Sequence, residues 1–316
     1  MRSIGHGFLK RWHVPQPHVL SKSAAVGPRL HSCIHQATQT KSNQLLRSYY
    51  TLALTRQVPD SFGKAISIYS ATVDPISVSL AKSQHEAYIE LLRTQVPTIS
   101  LPSLEAHPDS VFVEDTVVAH KKRAVITCPG HTSRQGEVDS IEEALEQLGM
   151  DIVRMQDGAL CDGGDVLNTG RHMFVGLSDR TNHAGAAVLQ DVFGDDNLQV
   201  IPVPMDSQDA LHLKSIATHI DDVTLLAPTG VVGDKLLTAM KAEELGYRIV
   251  RLPDITACNV VSVNGLILVS NSSCEESKEL LHKTAQERGM DLHFVETTEV
   301  NKADGAVTCC SVLLSL

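Results

Sequence analysis

Four stretches of this chain read as amphipathic helices that stop at a glycine: IEEALEQLG at Gly149, AAVLQDVFG at Gly194, LLTAMKAEELG at Gly246 and ELLHKTAQERG at Gly289. Glycine just past a helix end is favoured because it takes the left-handed conformation without a Cβ clash. These glycines lie 45, 52 and 43 residues apart, and each is followed by a short β-rich run: DIVRM, LQVIPVP, RIVRLP and DLHFVE. Pairs of short apolar runs precede the helices, such as VFVEDTVVA with RAVIT and DVLNTG with HMFVGL. The unit is therefore strand–strand–helix–strand, and repetition at this period points to a solenoid, a propeller or a closed array. First strands are expected to start near 111, 160, 212, 258 and 308. Only TCCSVLLSL follows the last start, and its missing helix and strand are found at the front, in SVSLAKSQHEAYIELLR and PTISL. That arrangement closes five units into a ring, with the C-terminal strand pairing near TLALTR. An ordinary α/β domain whose helices merely end in glycine is the alternative, but two independent registers agree on the ring.

The charge is distributed unevenly. Residues 1–59 carry eight Lys and Arg and no acid, whereas the remainder holds 19 basic against 37 acidic residues, a net of −18. The stretch 1–50 is rich in Arg, Ser, His and Gln and has no continuous apolar segment, the composition of a mitochondrial transit peptide rather than a secretory signal. The expectation is a leader over 1–50, giving a mitochondrial protein or, if it is only a disordered tail, a cytoplasmic one, followed by one domain over 51–316. No apolar run approaches the roughly 18–20 residues of a membrane-spanning helix, so no membrane partner is expected. The acidic balance argues against a nucleic-acid partner, because phosphate contacts need a surplus of Lys and Arg. Seven widely spread cysteines without a CxxC pair argue for reduced thiols and against a zinc finger or a disulfide scaffold. Asn271-Ser272-Ser273 fits a glycosylation acceptor but lacks the secretory context.

Polar residues interrupt the apolar pattern where the units begin. Unit one has Asp109, Glu114 and Asp115, unit two Asp162 and Asp165, unit three His212, unit four Asn259, and the last Cys309 and Cys310. A strand-like context such as VFVEDTVV should not carry adjacent carboxylates without a reason, because unpaired buried charge costs several kcal/mol. In a ring these starts converge on the axis, bringing a thiol, an imidazole and several carboxylates to one cavity. Taken singly each has a bland reading. A buried cysteine is usually an inert small hydrophobe, a lone histidine is usually structural, and Asp162-Gly163-Gly164-Asp165 could be only a turn. Their shared position in the repeat raises all of them together. Phosphate-cradle, serine-hydrolase and zincin signatures are absent; His85-Glu86 opens a zinc motif but Ile89 stands where the second histidine must be.

Four blocks carry a resemblance: PDSVFVEDTVV (108–118), DGGDVLNTGRHMFVGLSDRTN (162–182), LHLKS (211–215) and ADGAVTCCSVLL (303–314). With them the chain past the leader resembles the dimethylarginine dimethylaminohydrolases of the pentein, or amidinotransferase-like, superfamily, whose five-unit α/β propeller is the ring inferred above. The resemblance implies that Cys309 is the nucleophile, His212 the general acid/base and Asp162 the carboxylate that holds it. Asp109, Glu114 and Asp115 match the substrate-binding acids, Arg134 and Arg180 the clamp on the substrate's α-carboxylate, and the backbone at Ala303 and Asp304 faces the ligand. A lid is expected near 59–70. The implied reaction turns a methylated arginine, a small-molecule partner, into citrulline and an amine through a covalent thiouronium, with no metal and no organic cofactor, in a monomer or homodimer. Arginine or agmatine deiminase chemistry, or a catalytically silent pentein acting as a binding module, are the competing readings.

Overall fold

The computed structural model describes residues 50–67, 74–156, 158–194, 198–206 and 208–316, so the expected leader lies, but for Tyr50, outside the described residues. The described chain starts with β1 (Leu52–Arg56), α1 (Val78–Arg93) and β2 (Thr98–Leu101). The Ser77 side chain accepts the Leu80 amide to start α1, which buries Ala81, His85, Tyr88, Ile89 and Leu92 along one helical stripe.

Four copies of one motif follow. The first is β3 (Val117–His120), β4 (Arg123–Ile126), α2 (Asp139–Gln147) and β5 (Asp151–Arg154); the second is β6 (Val166–Asn168), β7 (His172–Leu177), α3 (His183–Phe193) and β8 (Gln199–Pro204). The third is β9 (Thr218–Asp221), β10 (Thr224–Pro228), α4 (Val231–Ala239) and β11 (Arg248–Leu252); the fourth is β12 (Val260–Val263), β13 (Leu266–Ser270), α5 (Glu275–Arg288) and β14 (Asp291–Val295). A short α6 (Thr298–Asn301) and β15 (Val312–Leu314) end the chain. In every copy the first two strands pair antiparallel and the third joins the second in parallel. A tight turn serves the antiparallel pair, but the parallel pair needs a crossover, which the helix provides.

The fifth copy is split between the two ends of the described chain, as the sequence predicts. β15 pairs antiparallel with β1, placing Leu314 opposite Leu52 and Val312 opposite Leu54, and β1 pairs parallel with β2 across α1. Five three-stranded sheets thus form a five-unit α/β propeller. Each helix packs into a cluster shared with a neighbouring unit: α2 contributes Ile141, Ala144 and Leu145 to a core with Leu52, Leu54, Val312 and Leu314, and α5 contributes Leu281 and Ala285 to one with Ile220 and Leu226. Among the described residues no helix is long and apolar enough to cross a membrane.

The structure departs from the sequence reading in three places. The expected first-strand starts are 3₁₀ turns, at Val113–Thr116, Gly163–Asp165, Leu213–Ser215, Thr256–Cys258 and Thr308–Cys310, with each first strand beginning one to three residues later. The segment VFVEDTVV looks strand-like because β-branched and aromatic residues flank its three polar ones, yet Thr116 turns its hydroxyl back onto the Val113 carbonyl and tightens the backbone. Gly149, Gly246 and Gly289 take positive φ, but Gly194 stays right-handed at φ −60°. The helix expected to run to Gly246 stops at Ala239, because Lys241 enters the left-handed region at φ 53° and a second turn closes on Gly246.

Leu314 is completely buried at the closure. Leu314→Ala is expected to cost about 2–5 kcal/mol through lost contacts and the cavity left behind. The check is the urea unfolding midpoint, and an unchanged midpoint would mean that ring closure contributes little stability.

Candidate active site

The five turns put equivalent residues of different units side by side. Turns of units one and two, two and three, and one and five touch one another. Asp162 and His212 occupy the same local position, the extended residue just before the turn of units two and three. Their side chains meet, His212 Nε2 lying 2.9 Å from Asp162 Oδ2, while Asp162 Oδ1 accepts the Gly130 amide at 2.8 Å. Both residues are buried. On the other side of the imidazole stands Asp115, whose Oδ1 accepts the Gly164 amide at 2.9 Å. The two glycines of Asp162-Gly163-Gly164-Asp165 are required here. A Cβ on Gly164 would lie 2.7 Å from His212 Nδ1 and 2.8 Å from Asp115 Oδ1, and one on Gly163 would lie 2.0 Å from the Glu114 carbonyl oxygen. The sequence is a turn, but one that lets imidazole and carboxylate approach without a side chain between them.

Glu114, next in the chain, faces the other way. Its Oε1 meets Lys214 Nζ at 2.7 Å and its Oε2 accepts the Thr308 hydroxyl at 2.9 Å. A cavity of about 770 Å³ lined by strands β3, β6, β9, β12 and β15 reaches Glu114, Gly163, Lys214 and Thr308; Cys309, His212 and Asp162 are not on its wall.

Charge and burial set the protonation states. Burial opposes a charge on His212, but Asp115, the bond to Asp162 and Asp165 outweigh it and raise its pKa to about 9. Burial would likewise raise Asp115, yet His212 and Arg134 draw its carboxyl below the usual range. Cys309 behaves oppositely: burial, then the Glu114 and Asp115 charges, push its thiol well above the ordinary value. Cys310 sits in the apolar cluster with Phe112, Val300 and Val307, and burial pushes its thiol up to about 12. Both cysteines pack against this cluster and both feel the Glu114 charge; Asp115 adds to the rise at Cys309, and Cys310 is the more deeply buried of the two. The six described cysteines are free thiols.

Arg134 is drawn into the site as an ion partner. Its Nη1 binds Asp115, its Nε and Nη2 bind Glu137, and Nη2 also donates to the Phe112 carbonyl at 2.9 Å. A guanidinium has five N–H groups, so Nη1 keeps one beyond this set. Arg180 is half-buried, and together with Arg134 and His131 it faces Asp109. Asp109 is buried and accepts the Ile66 amide at 3.0 Å, while Asp304, with φ 56°, accepts the Ser67 hydroxyl at 3.4 Å beside buried Ala303. The described part of the expected lid, a 3₁₀ turn at Asp60–Lys64 and extended residues to 67, is therefore tied to Asp109 and Asp304; residues 68–70 lie outside the described residues. The structure joins Cys309, His212, Asp162, Glu114, Asp115 and Arg134 into one group, with Asp109, Arg180, Ala303 and Asp304 forming a second group around the 65–67 segment.

Sequence reasoning missed Glu137, Lys214 and Thr308 as members of the site. Glu137 stands three residues after Arg134 in a 3₁₀ turn, and Lys214 two after His212, so a search for charges near each candidate would have found both. Ligand atoms of Asp115, Asp162 and His212 all lie within 4.8 Å of one another, the one group among the described residues close enough to share a metal ion. Their oxygens already accept from His212, Gly130, Gly164 and Arg134, so a cation would have to displace protein donors.

A five-unit α/β propeller with a thiol, an imidazole and carboxylates at its converging turns is a pentein. The comparisons narrow the class. The family model described as "N,N dimethylarginine dimethylhydrolase, eukaryotic" matches residues 59–310, and the chain belongs to this family. It is 35% identical to the N(G),N(G)-dimethylarginine dimethylaminohydrolase of Streptomyces coelicolor over 76% of this chain and 88% of that protein. The enzyme of the same name from Pseudomonas aeruginosa is 32% identical over 73% of this chain and 87% of its own length. A solved structure of the Pseudomonas aeruginosa protein, a cysteine-to-serine mutant complexed with citrulline, superposes with a TM-score of 0.74 at 26% identity, covering 84% of this chain and all of that one.

Because folding raises the His212 pKa from 6.5 to about 9, its protonated form stabilises the fold fully below the lower value, and that contribution is lost as pH rises through the upper one. The urea-midpoint gap between wild type and His212→Asn is therefore expected to be wide below about pH 6.5 and to narrow above about pH 9. A gap that widens with pH would mean the imidazole is held neutral.

Proposed function

We propose that this chain hydrolyses Nω,Nω-dimethyl-L-arginine, and the monomethyl form, to L-citrulline and dimethylamine or methylamine. The observation that carries this reading is the setting of Cys309, a thiol that burial, Glu114 and Asp115 keep protonated until positive charge arrives. A guanidinium is a permanent cation whose planar N–H groups suit carboxylates. Bound against Glu114 and Asp115, it cancels the field that holds the thiol proton, and the proton leaves to solvent. Substrate binding thereby creates the nucleophile.

The thiolate then attacks the guanidinium carbon, forming a C–S bond and a tetrahedral adduct. His212, protonated near neutral pH because its pKa lies at about 9, gives its proton to the dimethylamino nitrogen, and the C–N bond breaks with release of dimethylamine. A covalent thiouronium remains. Neutral His212, held by Asp162, takes a proton from water as its oxygen bonds to the same carbon. Collapse of this second adduct breaks the C–S bond and returns the electron pair to sulfur, the hydroxyl proton of the adduct passes to that sulfur and restores the thiol, and the ureido group of citrulline is left. Glu114 and Asp115 neutralise the cationic end of the substrate. Arg180, whose charge acts on Asp109 in the second group of residues, reads the amino-acid end in this proposal, its cation taking the α-carboxylate and Asp109 the α-ammonium. Arg134, bound by Asp115 and Glu137, fixes the Asp115 carboxylate and has one N–H left for an anion.

Purified protein incubated separately with asymmetric dimethylarginine, arginine and agmatine is expected to release dimethylamine and citrulline from the first. Turnover of arginine or agmatine in its place would move the chain to deiminase chemistry, and turnover of none would favour a binding module. Cys309→Ser should lose activity by a factor of at least about 10³, in the range for removal of a covalent nucleophile, while Cys310→Ser keeps most of it. The reverse outcome would transfer the nucleophile to Cys310.

A further inference from the structure

Asn259 opens unit four and has no part in the chemistry above, yet it is buried at the centre of the turns. It follows the 3₁₀ turn Thr256–Cys258, the counterpart of the turns that carry Glu114, Asp165 and Cys309. Its side-chain amide is fully used. Oδ1 accepts the Thr308 backbone N–H at 3.1 Å, and Nδ2 donates to the Lys214 carbonyl at 2.9 Å and to the Thr308 hydroxyl at 3.1 Å. The orientation is forced, since the Thr308 N–H can only donate and the Lys214 carbonyl can only accept.

This bonding has a directional consequence. A hydroxyl that receives a hydrogen from Nδ2 is left to give its own elsewhere, and Thr308 Oγ1 points it at Glu114 Oε2, 2.9 Å away. Glu114 thereby accepts from Thr308 on one oxygen and from Lys214 on the other. The same amide holds the backbone of Thr308, the residue immediately before Cys309. Three units are pinned by one side chain: unit three at Lys214, unit five at Thr308 and, through Thr308, unit one at Glu114.

We infer that Asn259 is a positioning residue that sets the direction of the Thr308 hydroxyl, keeping Glu114 supplied with a donor and the peptide before Cys309 in place. This rests on the reading of Cys309 and Glu114 given above. The groups facing Glu114 are Lys214 from unit three, Asp115 beside it in the chain, Cys309 and Cys310 from the last turn, and Tyr88 from α1. Burial, with Asp115, raises the Glu114 carboxyl above its ordinary value, and the Lys214 and Thr308 bonds pull against that rise, toward the form that pairs with a cation. Loss of the hydroxyl donor should shift the ionisation of Glu114 upward and leave His212 and its Asp162 bond where they are.

The test is the pH dependence of kcat/KM for asymmetric dimethylarginine in Thr308→Val, Asn259→Ala and the double variant, with thermal unfolding recorded for each. The acid limb is expected to rise by about one pH unit in each single variant, the scale of one lost hydrogen bond to a charged group. It should rise no further in the double variant, because Asn259 acts through Thr308. If Asn259→Ala does not fold, Asn259→Leu, which keeps the volume and adds no charge, is read in its place and must move the limb in the same direction. A lowered melting temperature with an unmoved acid limb would reduce Asn259 to a structural residue and overturn the inference, as would a shift in Thr308→Val that the Asn259 variants do not share. Cys309→Ser is assayed alongside: turnover by that variant would overturn the reading of the site itself, whatever the limb does.

Discussion

The pairing of β15 with β1 is the contact on which the site depends. Four units are continuous in sequence and could be assembled locally, but the fifth exists only when the last strand docks against the first. Cys309 lies in the turn just before β15 and is three residues from the first paired residue, Val312. Without closure the thiol would hang on a free end, far from the unit-one carboxylates that set its protonation. Loop-closure entropy must be overcome to join residues more than 250 positions apart, and the apolar cluster around Leu52, Leu54, Val312 and Leu314 is what offsets it. The long-range closure and the composition of the active site are therefore one requirement.

The second constraint is electrostatic. Six carboxylates and three basic side chains of the site region are buried or nearly so, and each would be costly alone. They are arranged alternately: Glu137, Arg134, Asp115, His212 and Asp162 form a chain in which negative and positive groups follow one another. Asp165 is satisfied separately by Ser178, Thr181 and the Leu213 amide, and Glu114 by Lys214 and Thr308. Such a network tolerates burial because each ion meets an opposite charge or hydrogen-bond donors, and it also explains why Arg134 is not free in the way a surface clamp would be. Its charge adds to that of the imidazolium in keeping Asp115 ionised against burial.

Much of this was legible in the sequence, for physical reasons that differ by residue. The helix-terminal glycines and the paired apolar runs announced the units, because left-handed caps and hairpins leave local signatures. Counting unit starts revealed that the fifth had to be split across the ends. The turns were not legible, since Val113, Glu114, Asp115 and Thr116 lie between valines and a phenylalanine that favour a strand, and nothing local distinguishes a 3₁₀ turn from it. Glu137 and Lys214 escaped notice because charged residues on a soluble surface are common, and only burial shows that these two are ion partners. Asn259 was marked by its place in the repeat, but its three hydrogen bonds join units that are 45 and 49 residues away in the chain.

A site with a neutral thiol and a charged imidazole differs from the common thiolate–imidazolium pair at the thiol alone, and the carboxylates account for it. Glu114 and Asp115 raise the cost of a thiolate at Cys309 while Asp115 and Asp162 lower the cost of a proton on His212. Both effects have one sign: negative potential retains protons on every titratable neighbour. A cationic ligand is the one kind of partner that reverses the balance at the thiol while leaving Asp162 to hold the imidazole. In the mechanism proposed above, an uncharged electrophile of similar size would meet an unreactive thiol, so selectivity for a cation would be exercised as the thiolate forms, in addition to binding. In that mechanism the same fields place the proton on His212 before the leaving amine needs it. The acid residues that make the described chain so negative in composition thus act locally, at four or five positions, to decide when chemistry begins.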